Sequence, residues 1–414
     1  MKIQNLLLLC VEKRASDLIL TANTPPIIRK DGEVIRTDLP ALTPEKVQEL
    51  VKSLLTPEQI KEFAQKKDLD LSLEIKDVSR FRINVYYQKG TMAAALRIVP
   101  LEVPTIEELN LPPILKKLAL LPRGLILVTG PAGSGKSSTL AAMIRYINAN
   151  KRCHIITIED PIEYMHDNDL SIVEQRELNI DTDSFADALK HVVRQSPDVI
   201  LVGEMRDLET IATAITAAET GHLVLATLHT IDAPQTVHRI IDVFPGNQQE
   251  QIRTQFAGSL VAIISQQLLP AADGKGRIPA VEILINTPGI RSQIMHNDIQ
   301  QIPLHIHTGK DVGMISMNQS LKRLVEDGKI KLETAAGRAS SPLEFTEMFT
   351  IEKDIRVRSF FSAFSSLTRI LLKRRYLLYR AVKRGLKAHN EDLTRMMGHR
   401  LWQPLTNYLM SKTL

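Results

Sequence analysis

The run Gly130-Pro131-Ala132-Gly133-Ser134-Gly135-Lys136-Ser137 constrains this chain more than any other segment. It fits G-x-x-x-x-G-K-[ST] in full. The apolar run Leu125-Ile126-Leu127-Val128 precedes it, and Ser138-Thr139-Leu140-Ala141-Ala142-Met143 continues it as a helix. Glycines let successive backbone N–H groups curl around phosphate oxygens, and the start of the helix adds partial positive charge. In such a loop Lys136 reaches the β- and γ-phosphates and the Ser137 hydroxyl ligates magnesium. A strand–loop–helix unit of this kind needs partners. Ile155-Ile156-Thr157-Ile158, Val199-Ile200-Leu201-Val202 and Leu223-Val224-Leu225-Ala226 are further continuous apolar runs, separated by amphipathic stretches such as Phe185, Ala186, Ala188, Leu189, Val192 and Val193. Buried strands alternating with helices imply a mainly parallel sheet covered on both faces. Helical segments are expected from there to about residue 335.

Upstream, residues 1–100 read as a mixed α/β domain. Thr43 and Thr56 stand as N-caps before Pro44 and Pro57 at first helical positions. Phe81-Arg82-Ile83-Asn84-Val85-Tyr86 and Ala94-Ala95-Leu96-Arg97-Ile98-Val99 alternate as half-exposed strands do. Pro100, Pro104, Pro112, Pro113 and Pro122 punctuate a linker over 101–122 with one short helix. With 414 residues and 44% apolar content, the chain can bury real cores, which excludes wholesale disorder. Leu6-Leu7-Leu8-Leu9-Cys10-Val11 falls far short of the ~20 residues that span a bilayer, and lacks the cleavage pattern of a signal peptide. Cys10 and Cys153 form no C-x-x-C pair, so neither a disulfide framework nor a zinc site is expected. A cytoplasmic protein is the expectation.

The net charge of +5 is unevenly spread. Residues 346–414 hold 14 Lys/Arg against 5 Asp/Glu, so residues 1–345 carry a net charge of −4. The basic character belongs to the tail, and a nucleic-acid partner is not implied.

A phosphate loop predicts nucleotide binding; hydrolysis also needs acids at the carboxyl ends of neighbouring strands. Asp198-Val199-Ile200-Leu201-Val202-Gly203-Glu204 is a buried strand ending in a carboxylate suited to orient magnesium through water. In Ile158-Glu159-Asp160-Pro161-Ile162-Glu163 three acids cluster beyond another strand, and a carboxylate there can orient or deprotonate the attacking water. His222 and His229 bracket a third strand, and His229, at its carboxyl end, is placed to sense a γ-phosphate.

These motifs together resemble the secretion-type AAA-like ATPases, and within them the PilT/PilU-type ATPases of type IV pilus retraction (twitching motility). Val202-Gly203-Glu204-Met205-Arg206-Asp207, Thr227-Leu228-His229-Thr230 and, near the N-terminus, Ala15-Ser16-Asp17-Leu18 and Ser79-Arg80-Phe81-Arg82-Ile83-Asn84-Val85 carry the likeness, which runs from residue 1 to about 345. The resemblance implies a homohexameric ring using ATP and Mg2+, each subunit pairing a PAS-like N-terminal domain (1–100) with a RecA-like P-loop domain (123–345). It implies Glu163 as catalytic glutamate, Glu204 as the Walker B acid, and His222 and His229 as a histidine box. It further implies Arg82, Arg97 and Arg194 as phosphate-facing arginines, and Gly130, Pro131, Ala132, Gly133, Ser134, Gly135, Lys136, Ser137 and Ser138 as nucleotide contacts. Ser137 and Glu204 would serve the metal. An inner-membrane platform protein, with the motor peripheral at the membrane's inner face, and a paralogous pilus ATPase are the implied partners.

Three positions depart from the family pattern. Ile19 replaces a histidine, Ala132 a threonine, and Pro288-Gly289-Ile290-Arg291-Ser292-Gln293-Ile294-Met295 stands where a motif associated with retraction begins Ala-Ile-Arg-Asn-Leu-Ile. That last departure leaves a PilU-like accessory role as an alternative to an autonomous motor. A nucleic-acid translocase on the same core is disfavoured, because only 4% of the chain is aromatic and its body is acidic. Residues 346–414 read as a basic helical extension, with Phe360, Phe361, Phe364, Leu367, Ile370 and Leu371 at helical spacing. It suits either an anionic membrane surface or a helical pair on its own domain.

Overall fold

The computed structural model describes residues 2–349 except positions 14, 31–32, 76–77, 100–101, 343–344 and 346–347. The amphipathic helix expected from Phe360 onward lies outside the described residues. Contacts divide the chain into Met1–Ala335 and Ala336–Leu414, and both sheets belong to the first unit. In the second unit Phe345 and Phe349 meet edge to face, ring centroids 5.1 Å apart.

Alternating residues build the first sheet. Strands β1 (Asp17–Leu20), β2 (Ile27–Lys30), β3 (Glu33–Arg36), β4 (Asp68–Ile75), β5 (Ser79–Gln88) and β6 (Thr91–Val99) lie in the order β3-β2-β1-β6-β5-β4. All neighbours are antiparallel. In β5, Phe81, Ile83 and Val85 are fully buried while Arg82 is exposed, because successive side chains leave a strand on opposite faces. The buried face packs on the helices Ile3–Glu12 and Pro44–Lys52. The leucine-rich opening is therefore a core helix, with Ile3, Leu6, Leu7 and Cys10 buried at helical spacing. Thr43 accepts from the Lys46 N–H, and Thr56 forms a capping box with Gln59, a device worth about 1 kcal/mol per cap. On the opposite face Arg82 stands directly across from Ser72 on one side and Arg97 on the other.

The second sheet holds β7 (Gly124–Thr129), β8 (His154–Glu159), β9 (Ile172–Glu177), β10 (Val199–Val202), β11 (Leu223–Leu228), β12 (Leu260–Pro270) and β13 (Arg277–Ile285) in the order β13-β12-β7-β11-β10-β8-β9. Only the β12–β13 pair is antiparallel. Leu125 and Leu127 face one core with the helices Phe185–Val192, Leu208–Glu219 and Ala233–Asp242, while Ile126 and Val128 face another with Ile114–Ala119 and Lys136–Asn150. Burial on both faces explains why these strands read as unbroken apolar runs. Ile114–Ala119 is the short helix expected in the proline-rich stretch.

Two corrections follow from this sheet. The chain is not helical throughout the segment after β11, since Leu260–Pro270 and Arg277–Ile285 are strands. The paired polar residues Gln266-Gln267 break the apolar run, so β12 lacks the signature of its neighbours although it is buried beside β7. β9 is a further strand, hidden in sequence by Glu174-Gln175-Arg176-Glu177. After β7 the chain passes over β11 and β10 to reach β8, so the carboxyl ends of β7, β8, β10 and β11 open along one edge. No helix among the described residues is long and apolar enough to cross a membrane.

Candidate nucleotide site

The phosphate loop is held open by a brace from β12. Gly130 and Gly135 adopt φ of 143° and 91°, and a Cβ on either would lie 2.3 Å from the Gln266 carbonyl oxygen or 2.8 Å from Gln266 Nε2. Only glycine fits both the dihedral and the approach. Gln266, 3% exposed, donates through Nε2 to the Ser134 carbonyl at 2.8 Å and accepts from Thr139 Oγ1 at 2.8 Å. Its side-chain amide thus ties the loop to the helix that follows. Lys136 Nζ donates to the carbonyls of Gly130 and Pro131 at 2.9 and 3.2 Å. Burial pulls its pKa down, against the raising pull of Glu204 and Glu163. The Ser134 hydroxyl is buried without a partner, an unmet group in a loop shaped to meet oxygens.

Acids and bases converge on this loop from the other strand ends. Lys136, Ser137, Glu163, Glu204, Arg206 and His229 line one cleft of ≈ 270 Å³. Glu204, just beyond β10, accepts from Arg206 (Nε to Oε1 2.6 Å, Nη2 to Oε2 2.7 Å) and faces His229 Nε2 at 3.0 Å. Burial pushes its pKa up, but the Arg206 hydrogen bond and the charges of His229 and Arg206 outweigh that and leave it below the ordinary value. The acid cluster beyond β8 divides by environment. Glu159 is deeply buried, which raises its pKa against hydrogen bonds from Thr157 Oγ1 at 2.7 Å and Gln175 Nε2 at 3.0 Å. Glu163 is exposed and lines the cleft, and among the described residues its carboxylate has no such partner. Tyr164 OH and Ser138 Oγ lie 2.8 Å apart, linking the acid loop to the phosphate-loop helix.

Arg82 and Arg97 line an adjoining cavity of ≈ 180 Å³ together with Ile162, Glu163 and Tyr164. Arg97 is tied to Asp17 at 3.0 Å. Two residues of the expected set lie elsewhere. Arg194 follows the helix Phe185–Val192 and precedes the amino end of β10, whereas the cleft sits at the carboxyl ends. His222 precedes β11 and pairs through Nδ1 with the Ala217 carbonyl at 2.9 Å, at the far end of the strand from His229. Among the described residues no group of three or more His, Cys, Asp or Glu forms a metal cage. Ser137 and Glu204 in one phosphate-binding cleft instead fit Mg2+, which takes few protein ligands and completes its shell with water and substrate phosphates. Sequence reasoning missed Gln266, Arg206, Gln175 and Tyr164. A glutamine pair inside a buried strand, and an arginine two residues after the strand-end acid, were the available signals.

Comparison with known proteins agrees with this geometry. The sequence profile of the Type II/IV secretion system protein family matches residues 54–323. The chain is 46% identical over 345 residues to the type IV pilus retraction ATPase PilT of Pseudomonas aeruginosa, covering 83% of this chain and 100% of that protein. It is 42% identical over 341 residues to the type IV pilus ATPase PilU of the same organism, covering 82% and 89%. The crystal structure of the pilus retraction motor PilT with bound ADP matches with a TM-score of 0.78 at 48% identity, over 83% of this chain and 98% of that one.

Proposed function

The chain belongs to the type II/IV secretion ATPases, in their PilT-type branch, and from that premise we propose that it is the ATP-hydrolysing motor of type IV pilus retraction. The observation that carries this reading is the convergence of Lys136, Ser137, Glu163 and Glu204 on one cleft at the carboxyl edge of the parallel sheet. Backbone N–H groups of residues 132–138 and the Lys136 ammonium hold the phosphates of ATP, Lys136 exchanging its two carbonyl partners for phosphate oxygens. Ser137, with Glu204 through water, would hold Mg2+, which when bound neutralises charge on the β- and γ-phosphates. Arg206 and His229 keep Glu204 ionised for that task. Glu163 orients the attacking water and accepts its proton. Arg82 and Arg97 spread donors over oxygens whose charge grows as the terminal phosphoryl group departs.

In this reading residues 1–100 form the arginine-bearing domain, 101–122 the linker and 123–345 the catalytic domain; the two separate sheets support the split between the two domains, although residues 336–345 group with the second compact unit. Nucleotide turnover shifts one sheet against the other. Six copies in a ring then convert that shift into work on a platform protein at the inner face of the inner membrane. Lys136→Ala and Glu163→Gln are each expected to abolish phosphate release; full activity in either removes the site assignment. A deletion strain is expected to lose twitching while keeping excess surface pili, whereas absence of pili would point to an extension motor.

A further inference from the structure

We infer that the buried Arg80–Glu177 ion pair seats the arginine-bearing face of the N-terminal sheet over the acid loop, making both residues positioning residues for phosphate cleavage; the inference rests on the function proposed above. Arg80 Nη2 meets Glu177 Oε2 at 2.7 Å, with the two side chains 15% and 6% exposed. The same carboxylate accepts from Ser72 Oγ at 3.1 Å and from the Ile162 N–H at 3.4 Å. One side chain at the end of β9 therefore touches β4, β5 and the loop residue next to Glu163.

The placement is specific to Arg82. Arg80 lies two residues before it on the same face of β5, and Ser72 is its direct partner across the β4–β5 ladder. Glu177 thus grips Arg82's neighbour along the strand and its neighbour across the strand. Arg82 itself makes no ion pair among the described residues, which leaves its guanidinium available to the cavity it shares with Glu163. Glu177 is in turn fixed by its own backbone, its N–H donating to Asp181 Oδ2 at 2.8 Å and its strand paired with β8.

A buried ion pair contributes little net stability over a well-packed apolar pair, but its directed hydrogen bonds impose a geometry that an apolar pair does not. A catalytic group displaced by about 1 Å costs on the order of 100-fold in rate. The phosphate loop grips ATP without help from Arg80, so loss of the pair is expected in kcat rather than in KM.

The test compares steady-state phosphate release by the full assembled chain for wild type, Glu177→Gln, Arg80→Lys and the double variant Arg80→Met/Glu177→Leu. Both single variants are expected to lose about 10- to 100-fold in kcat, with KM for ATP within about threefold of wild type. The double variant is expected to regain the wild-type melting temperature and keep the low kcat. Recovery of kcat together with melting temperature, or a KM that rises as far as kcat falls, overturns the inference. Variants at the wild-type rate overturn it alone, whereas a wild type that releases no phosphate overturns the proposed activity and this inference with it.

Discussion

Gln266→Ala offers a direct measure of how far the phosphate loop depends on its brace. The substitution deletes two buried hydrogen bonds, to the Ser134 carbonyl and from the Thr139 hydroxyl, each 2.8 Å long. A net hydrogen bond contributes roughly 1 kcal/mol, and a buried group left unpaired costs about 1–3 kcal/mol. Counting the two net hydrogen bonds alone, without the cost of leaving the buried Ser134 carbonyl unpaired, gives the lower end. A penalty of about 2 kcal/mol on the binding-competent loop corresponds to about 30-fold weaker ATP binding. Thr139→Val removes one of the two bonds and is expected to weaken binding about fivefold. Titration of a fluorescent ATP analogue at fixed magnesium reads both variants against wild type. A Gln266→Ala affinity within twofold of wild type would refute the brace.

Two further outcomes follow from charge. Glu282, buried on β13, accepts from the Ala233 N–H at 3.0 Å, yet burial pushes its pKa from 4.5 to about 7, with Asp232 adding to the rise. Below pH 4.5 folded and unfolded chains both carry the proton; between 4.5 and about 7 only the folded chain does. Its contribution to stability is therefore full at the acid end and lost as pH rises through about 7, by something of order 3 kcal/mol. Melting curves should show wild type losing more stability from pH 5 to 8 than Glu282→Gln; parallel profiles would reject the assignment. Arg206→Ala removes the main group holding the Glu204 pKa down. The acid limb of the ATPase pH profile should then move to higher pH, and an unmoved limb would exclude Glu204 as its origin.

Much of the site was readable from the sequence because its logic is local. The phosphate loop needs its glycines, lysine and serine in one run, and the buried strands announce themselves as apolar blocks. What stayed hidden depends on contacts across the chain. Gln266 is buried because its amide meets backbone and side-chain groups 132 and 127 positions away. Glu159 and Glu163 are chemically alike in sequence, and only burial separates a carboxylate locked by Thr157 and Gln175 from one facing the cleft. Arg194 and His222 precede their strands in the sequence, so their place at the amino ends was itself legible, and only the family resemblance had grouped them with the cleft. In the segment that departs from the retraction-associated motif, Ile290 and Ile294 are fully buried while Arg291 is exposed. Retention of those two isoleucines thus reflects packing of the catalytic core.

The brace also lies late in the chain, and chains are made in order. Ser134 leaves the ribosome 132 residues ahead of Gln266. At about 5–20 residues per second, the interval is on the order of ten seconds. Throughout it, β7 lacks its β12 neighbour, and the glycine loop rests on local bonds such as that of Lys136 to the Gly130 carbonyl without the Gln266 brace. A nascent or prematurely ended chain is therefore expected to hold nucleotide about 30-fold more weakly, and tight retention of ATP reports that β12 has joined the sheet.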